Sequence, residues 1–429
     1  MDRSPYVSVF DVAVVGRAAI GLATGLALSR LGLRVAMIGP DAPGTETSTQ
    51  GAAGFTAASP LAGDDWDNRV FALSPSSRRL LDSLGVWQAM DAARIAPVHD
   101  MRIWPRAPAG GGELHFSAWE ARIDALAWIV ENRNLGRALA QACRFAGLAS
   151  FQSTLASLDT ATDPALARLV LDDGRSLSAR LVVGADGANS RVRDLAGIGA
   201  TLSDYPQRAV VANFDTELPH RDCAYQWFGE HGVLAMLPLP ATPAAVGTNP
   251  AGRCSIVWSA PHALADELLA IDTQALARRV EETSGRVLGA MTPIGPAAGW
   301  PLRLGRVDSM IAARVALVGD AAHVVHPLAG QGMNLGFGDV QALADTLRSR
   351  EGPRDPGEHM LLRRYERARA EPVLAMHLAT DGLQQLFDPG STLSRGPLGL
   401  PLRAVRDLGW RAVAALGPIR RLLVSQAVR

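Results

Sequence analysis

The stretch from Val315 to Leu343, VALVGDAAHVVHPLAGQGMNLGFGDVQAL, constrains this chain more than any other. An apolar run, Val315 to Val318, stops at Gly319 and reads as a short buried strand. A glycine-rich turn follows, and from about Gln331 the residues Met333, Phe337, Val340, Leu343 and Leu347 recur at helical spacing. Asp320 can accept hydrogen bonds from sugar-like hydroxyls. The free N–H groups of Gly332 to Asn334 can donate to an electron-rich ring edge, assisted by the helix dipole. An ordinary strand–turn–helix would look the same locally, but two further nucleotide-type turns upstream argue against it.

The first of those turns lies in residues 10–38, which read as strand, turn, helix and strand. Phe10 to Val15 form the first strand, GRAAIG from Gly16 to Gly21 the turn, and Leu22 to Leu31 a helix capped by Gly32. Arg34 to Ile38 form the second strand. The turn carries the first and third glycines of the dinucleotide fingerprint, but Ala18 replaces the middle one. Its methyl pushes a pyrophosphate outward. Where an acidic residue should bind a ribose hydroxyl stands Gly39, with Asp41 as a substitute two residues on.

The other turn ends ARLVLDDGRSLSARLVVGADGANSRVR, Ala167 to Arg193, a hairpin turning at Asp173-Gly174. Its second strand runs into Gly184-Ala185-Asp186-Gly187, repeating the chemistry of Gly319-Asp320 about 135 residues earlier. One such turn is weak evidence. Two, with a βαβ turn, are strong.

Between the turns, residues 41–64 read as a loop, and Ser74 or Ser76 caps a helix carrying Leu80, Leu81 and Leu84. Arg69, just before it, is a candidate phosphate or flavin contact. Residues 97–124 read as two strands around Gly110-Gly111-Gly112, and Ile129 to Cys143 as an amphipathic helix with Asn132 and Arg133 in its first turn. Residues 205–300 change character: aromatic, Thr and Val residues alternate in patches broken by prolines, with one helix from Asp272 to Ser284. This reads as a mostly antiparallel sheet laid over the nucleotide-binding part, a lid for an apolar aromatic substrate.

Bulk numbers narrow the chemistry. Basic and acidic residues balance at 42 each, so no global field points to nucleic acid. Every basic residue is arginine, which excludes a Schiff-base, P-loop or general-base lysine. Cys143, Cys223 and Cys254 are scattered, suggesting a reducing compartment and no thiolate metal site. No uncharged apolar run reaches the length of a spanning helix. Past Pro372 the sequence suggests apolar helices at Val373–Phe387 and Pro401–Leu416, and from Arg395 to Arg429 seven arginines face one acid, Asp407. Such a tail suits an anionic membrane surface or packing on its own domain.

With three motifs in this order, the chain resembles the flavoprotein aromatic hydroxylases of the p-hydroxybenzoate hydroxylase fold. It is most similar to the ubiquinone-biosynthesis (2-polyprenyl-phenol) hydroxylases, over nearly the whole chain. GDAAHVVHPLAGQGMNLG, VVGADGANSRVR, DNRVFALS and IVENRNL carry that likeness, and ATDGLQQLF near the end recurs in the ubiquinone branch. The resemblance implies an α/β fold: a Rossmann-like FAD-binding domain, an inserted mostly antiparallel substrate sheet and a C-terminal helical tail. The expected divisions are FAD-binding parts at 1–96, 126–203 and 304–371, sheet parts at 97–125 and 204–303, and a helical region at 372–429.

The resemblance also implies FAD, NAD(P)H as electron donor, and dioxygen, with a flavin C4a-hydroperoxide hydroxylating a lipid-tailed phenol. By position, Asp320 would bind the ribityl chain, with Gly319 beside it. Gly330, Gln331, Gly332, Met333 and Asn334 would meet the flavin ring through backbone groups, with Pro327 alongside. Arg69 and Asn132 would lie near the flavin. Asp186 and Gly187 belong to the motif that touches both FAD and NAD(P)H, and Gly16, Ala18 and Gly21 would face the adenosine–pyrophosphate end. No base is assigned: His323 and His326 fit a structural hydrogen-bonding role as well as a catalytic one. The implied setting is the cytoplasm, peripheral to the inner face of the cell membrane and in contact with a ubiquinone-synthesis complex. Two other readings stand beside this one: a hydroxylase of a small soluble aromatic compound, and an FAD-poor scaffold in a quinone-synthesis assembly.

Overall fold

Apolar runs ending in glycine set parallel strands side by side. The structure, a computed structural model, describes residues 8–40, 66–105, 112–229, 231–240, 251–325, 331–352 and 354–387. Its first sheet runs Ile311–Ala312, Val315–Leu317, Ser176–Gly184, Ser8–Val15, Val35–Ile38 and Ala149–Phe151, with Ala167–Leu171 and Leu155–Asp159 extending it. The four central neighbours are parallel; Val35–Ile38 and Val315–Leu317 are buried throughout, and the other two strands are buried on both faces over their C-terminal four residues, as the covered part of a parallel sheet must be. Helices Ala19–Ser29, Asn132–Phe145 and Gln331–Arg348 add their apolar faces to that core.

The second sheet runs His323–Val324, Met291–Val307, Ala200–Thr216, Gly252–Pro261, Gly232–Leu239, Cys223–Gly229, Asp100–Trp104 and Leu114–Ser117. Its pairs are antiparallel except where Cys223–Gly229 meets Asp100–Trp104. Side chains alternate along each strand. Val210, Ala212, Phe214, Ile256 and Trp258 pack with the helices His262–Ala270 and Thr273–Ser284, while Ala209, Val211 and Val257 point the other way. A third sheet joins Val70–Leu73, Ala127–Glu131 and Ile95–Val98.

Four local expectations need correction. The first helix begins at Ala19, three residues before Leu22, and ends at Ser29 with Arg30 as its cap. Gly21 permits the early start: a Cβ there would lie 2.0 Å from the Gly16 carbonyl oxygen, so only glycine lets the first turn press onto the loop. Ile129 to Glu131 are strand, not helix; these residues pair with Val70–Leu73 and Ile95–Val98, and the helix starts at Asn132. The helix His262–Ala270, which precedes the expected one, gave no signal strong enough to separate it from the surrounding strands. Finally, one helix, His359–Phe387, runs straight through solvent-facing Pro372. The segment Pro401–Leu416, the loop 41–64 with Asp41, and Gly110-Gly111 lie outside the described residues.

Candidate active site

Strand register brings the glycine turns together. Val15 and Gly184 are partners, as are Gly184 and Leu317, at the C-terminal ends of adjacent parallel strands. The turns after them therefore open on one sheet edge, where α/β sheets bind their ligands. A cavity of about 1230 Å³ is lined by that edge on one side and by the second sheet on the other.

Gly16 crosses the edge with φ +116°, and an added Cβ would sit 2.1 Å from the Ala185 carbonyl oxygen. Here only glycine fits. Ala18 adopts extended backbone at the N-cap, no side chain caps the helix, and Ala18, Ala19 and Ile20 at its start line the cavity. An uncapped helix start of this kind receives a phosphate or other anion. At the neighbouring strand end, the Arg17 guanidinium donates to the Gly39 carbonyl oxygen at 3.3 Å, so a cation borders the place where an acid was expected. Sequence reasoning passed over Arg17; its position inside the fingerprint turn was the available signal.

Arg69 reaches the cavity because two motifs hold each other. The Asp67 amide donates to the buried Glu131 carboxylate at 2.7 Å, and the Asn132 amide donates to the Arg69 carbonyl at 2.9 Å. Arg94 donates to the same Glu131 carboxylate at 2.9 Å. Arg69 lines the cavity while Asn132 does not.

Asp186 lines the cavity, yet both its oxygens are engaged: Ser190 Oγ donates at 2.5 Å and the Val192 amide at 3.0 Å. Its carboxylate organises the start of the helix Arg191–Leu195, leaving the Gly187 turn facing the cavity. Asp320 is the opposite case. Its carboxylate opens into the cavity and accepts no hydrogen bond among the described residues. Enclosure by protein raises its pKa, with His323 and Arg69 pulling the other way and Asp339 adding to the rise. A carboxylate open to the cavity can accept hydrogen bonds from a bound molecule, and ribityl hydroxyls are donors.

Beneath Asp320 lies a buried ionic network. Asp339, fully buried, accepts from the Gly319 amide at 2.8 Å, His323 Nε2 at 2.6 Å and Arg369 Nε at 2.6 Å. Burial alone would raise the Asp339 pKa; His323 and Arg369, with the Gly319 amide, overcome it and lower it. The His323 ring is therefore turned into the core rather than the cavity, a structural placement. Tyr365 completes the support by donating to the Leu317 carbonyl oxygen at 2.7 Å.

Gly332 and Met333, at the start of Gln331–Arg348, line the cavity; Gly319, Gln331, Asn334 and Gly21 do not. The Asn334 side chain instead grips the Ser74 helix start, accepting from the Ser74 amide and Ser77 Oγ and donating to the Ala72 carbonyl. His326, Pro327 and Gly330 lie outside the described residues. The remaining wall belongs to the second sheet and is chiefly aliphatic: Ala209, Val211, Val233, Ala235, Leu237 and Val257. Period-two alternation in these strands was the signal that could have named them.

The residues present fit FAD: an uncapped helix start for a pyrophosphate, an unpaired carboxylate for a sugar-like chain, and a second helix start for a ring edge. Beside that groove sits an apolar wall for a second molecule. Fold and site together define a flavoprotein hydroxylase of the p-hydroxybenzoate hydroxylase type.

Comparison with known proteins agrees. The FAD binding domain family matches residues 63–378. Ubiquinone hydroxylase UbiL of Rhodospirillum rubrum is 34% identical, the alignment covering 98% of this chain and 90% of that protein. The 3-demethoxyubiquinol 3-hydroxylase of Escherichia coli is 32% identical over 97% of this chain and 98% of that one. In fold, p-nitrophenol 4-monooxygenase PnpA from Pseudomonas putida superposes with TM-score 0.69 at 16% identity, covering 98% and 99% of the two chains. The chain belongs to the FAD binding domain family, within the ubiquinone-biosynthesis hydroxylases.

Proposed function

We propose that this chain hydroxylates the aromatic ring of a polyprenylated phenol in ubiquinone biosynthesis, using FAD, dioxygen and NAD(P)H. One observation carries the reading: a single cavity joins a dinucleotide-type groove to an aliphatic sheet face. Relatives named for ubiquinone hydroxylation support it. When bound, FAD supplies the reduction of dioxygen and delivery of one oxygen atom.

The chain's own residues bind, orient and exclude water. Asp320 would hold the ribityl hydroxyls, the amides at Gly332 and Met333 the ring edge, Arg69 the flank, and the Gly16–Gly21 turn the pyrophosphate. The dipole of Gln331–Arg348 favours negative charge at its N-terminus. The aliphatic wall excludes water and receives ring and tail. Among the described cavity residues there is no histidine, His326 lies outside the described residues, and no residue is assigned as the base that activates the ring. The divisions at 1–96, 97–125, 126–203, 204–303, 304–371 and 372–429 are proposed as the domain plan. Among the described residues no helix is long and apolar enough to cross a membrane. We place the chain in the cytoplasm, its arginine-rich tail meeting the inner face of the cell membrane and a ubiquinone-synthesis complex.

Complementation tests the reading. Strains lacking each ubiquinone hydroxylation step, given this gene, should regain ubiquinone in at least one case, and the intermediate that disappears identifies the ring position. No rescue in any strain, with flavin-loaded protein present, would contradict it.

A further inference from the structure

The second sheet's cavity face can be read row by row from its register. Gln226 pairs with Ala235, Ala235 with Val257, and Val257 with Val211, so these four side chains form one row across four strands. All four line the cavity. Three are aliphatic and one is an amide. The adjacent row holds Val233, Ser259, Ala209 and Trp300.

Gln226 is 8% exposed, and its side chain neither donates nor accepts a hydrogen bond among the described residues. The amide is not sealed away: it lines the cavity, where its two donors and its acceptor stay available to a bound molecule. Gln226 can do two things at once that a phenol needs. Its oxygen accepts the phenolic O–H, and its nitrogen donates to a ring oxygen, including one that carries negative charge. Ser259 has a short reach and lies between Val233 and Ala209, and Trp300 offers a donor but no acceptor.

We propose that Gln226 is the side chain that recognises the oxygen-bearing ring of the substrate, hydrogen-bonding a phenolic oxygen while the aliphatic row beside it holds the ring and prenyl carbons. The proposal rests on the hydroxylase reading above and adds a specificity determinant to it. The two leave different signatures when they fail.

The test uses the FAD-loaded protein and two probes, 2-prenylphenol and prenylbenzene, titrated by their perturbation of the flavin spectrum. Wild type should bind the phenol roughly tenfold tighter, the worth of about one net hydrogen bond. Gln226→Leu, close in volume, should bring the two affinities within about twofold while its FAD affinity stays unchanged. Ser259→Ala should keep the wild-type ratio. A Gln226→Leu protein that still prefers the phenol, or a Ser259→Ala protein that loses the preference, overturns the proposal and leaves the hydroxylase reading standing. Wild type that holds FAD but binds neither probe contradicts the prenylated-phenol reading and the proposal with it. Should Gln226→Leu fail to hold FAD, Gln226→Met reads the same ratio: affinities within about twofold support the proposal, and a retained preference for the phenol overturns it.

Discussion

The groove's two ends solve one problem by different physics. At the adenosine end, Gly16 and the uncapped helix start at Ala19 present backbone amides, and the geometry is kept by close contact: no Cβ fits between Gly16 and Ala185. At the other end, Gly319 and Asp320 are held from below by charge, with Asp339 gripping the Gly319 amide, His323 and Arg369. The first design tolerates sequence change wherever the backbone survives, which is how Ala18 and Gly39 can depart from the fingerprint. The second depends on a few titratable side chains. Their failures should differ accordingly.

The largest effect is expected at Asp339. Asp339→Asn leaves Arg369 buried without its counter-charge and should cost about 3–5 kcal/mol, measurable by denaturant unfolding. A loss under about 1 kcal/mol would show that the network is not what holds this end. The same residue predicts a pH dependence. Because its folded pKa lies below the ordinary value of 3.8, its stabilisation is complete above that value and is lost as pH falls through the folded one. The stability gap between wild type and Asp339→Asn should therefore narrow in acid below about pH 4; a gap constant from neutral to acid pH would refute the assignment.

Gly16→Ala comes next. With φ at +116° and the Ala185 carbonyl in the way, it should cost about 1–3 kcal/mol and flavin retention together. Equal stability and flavin content would remove the close-contact account. The smallest effect belongs to Ala18→Gly. The position is the helix N-cap, where glycine is preferred to alanine, so stability should rise by about 0.5–1 kcal/mol, while FAD binding tightens a few-fold as the methyl leaves the cavity wall. Weaker FAD binding by titration would mean that the methyl packs usefully on the ligand.

What could be read in advance was local. The apolar run into Gly319, the fingerprint glycines, a serine cap at Ser74 or Ser76 (the structure uses Ser74) and the Gln331 helix each follow from spacing or from one residue's backbone demands. The sheet face of the cavity required register. Gln226 sits in CAYQWFG with no local mark of purpose until pairing puts it beside Ala235 and Val257. The partnership of Asp339 with Arg369, 30 residues on, is likewise a tertiary fact. Ile129 to Glu131 misled for a related reason: a buried three-stranded ladder overrode a pattern that suited a helix.

Asp320, which lines the cavity and accepts no hydrogen bond among the described residues, is on this account the carboxylate that holds the cofactor. Asp320→Ala removes no hydrogen bond within the described protein, so its unfolding transition should stay within about 0.5 kcal/mol of wild type. Its FAD affinity, followed by flavin fluorescence, should fall by roughly ten- to a hundredfold, the loss of one or more charge-assisted hydrogen bonds. Stoichiometric flavin retained at wild-type affinity would contradict the account.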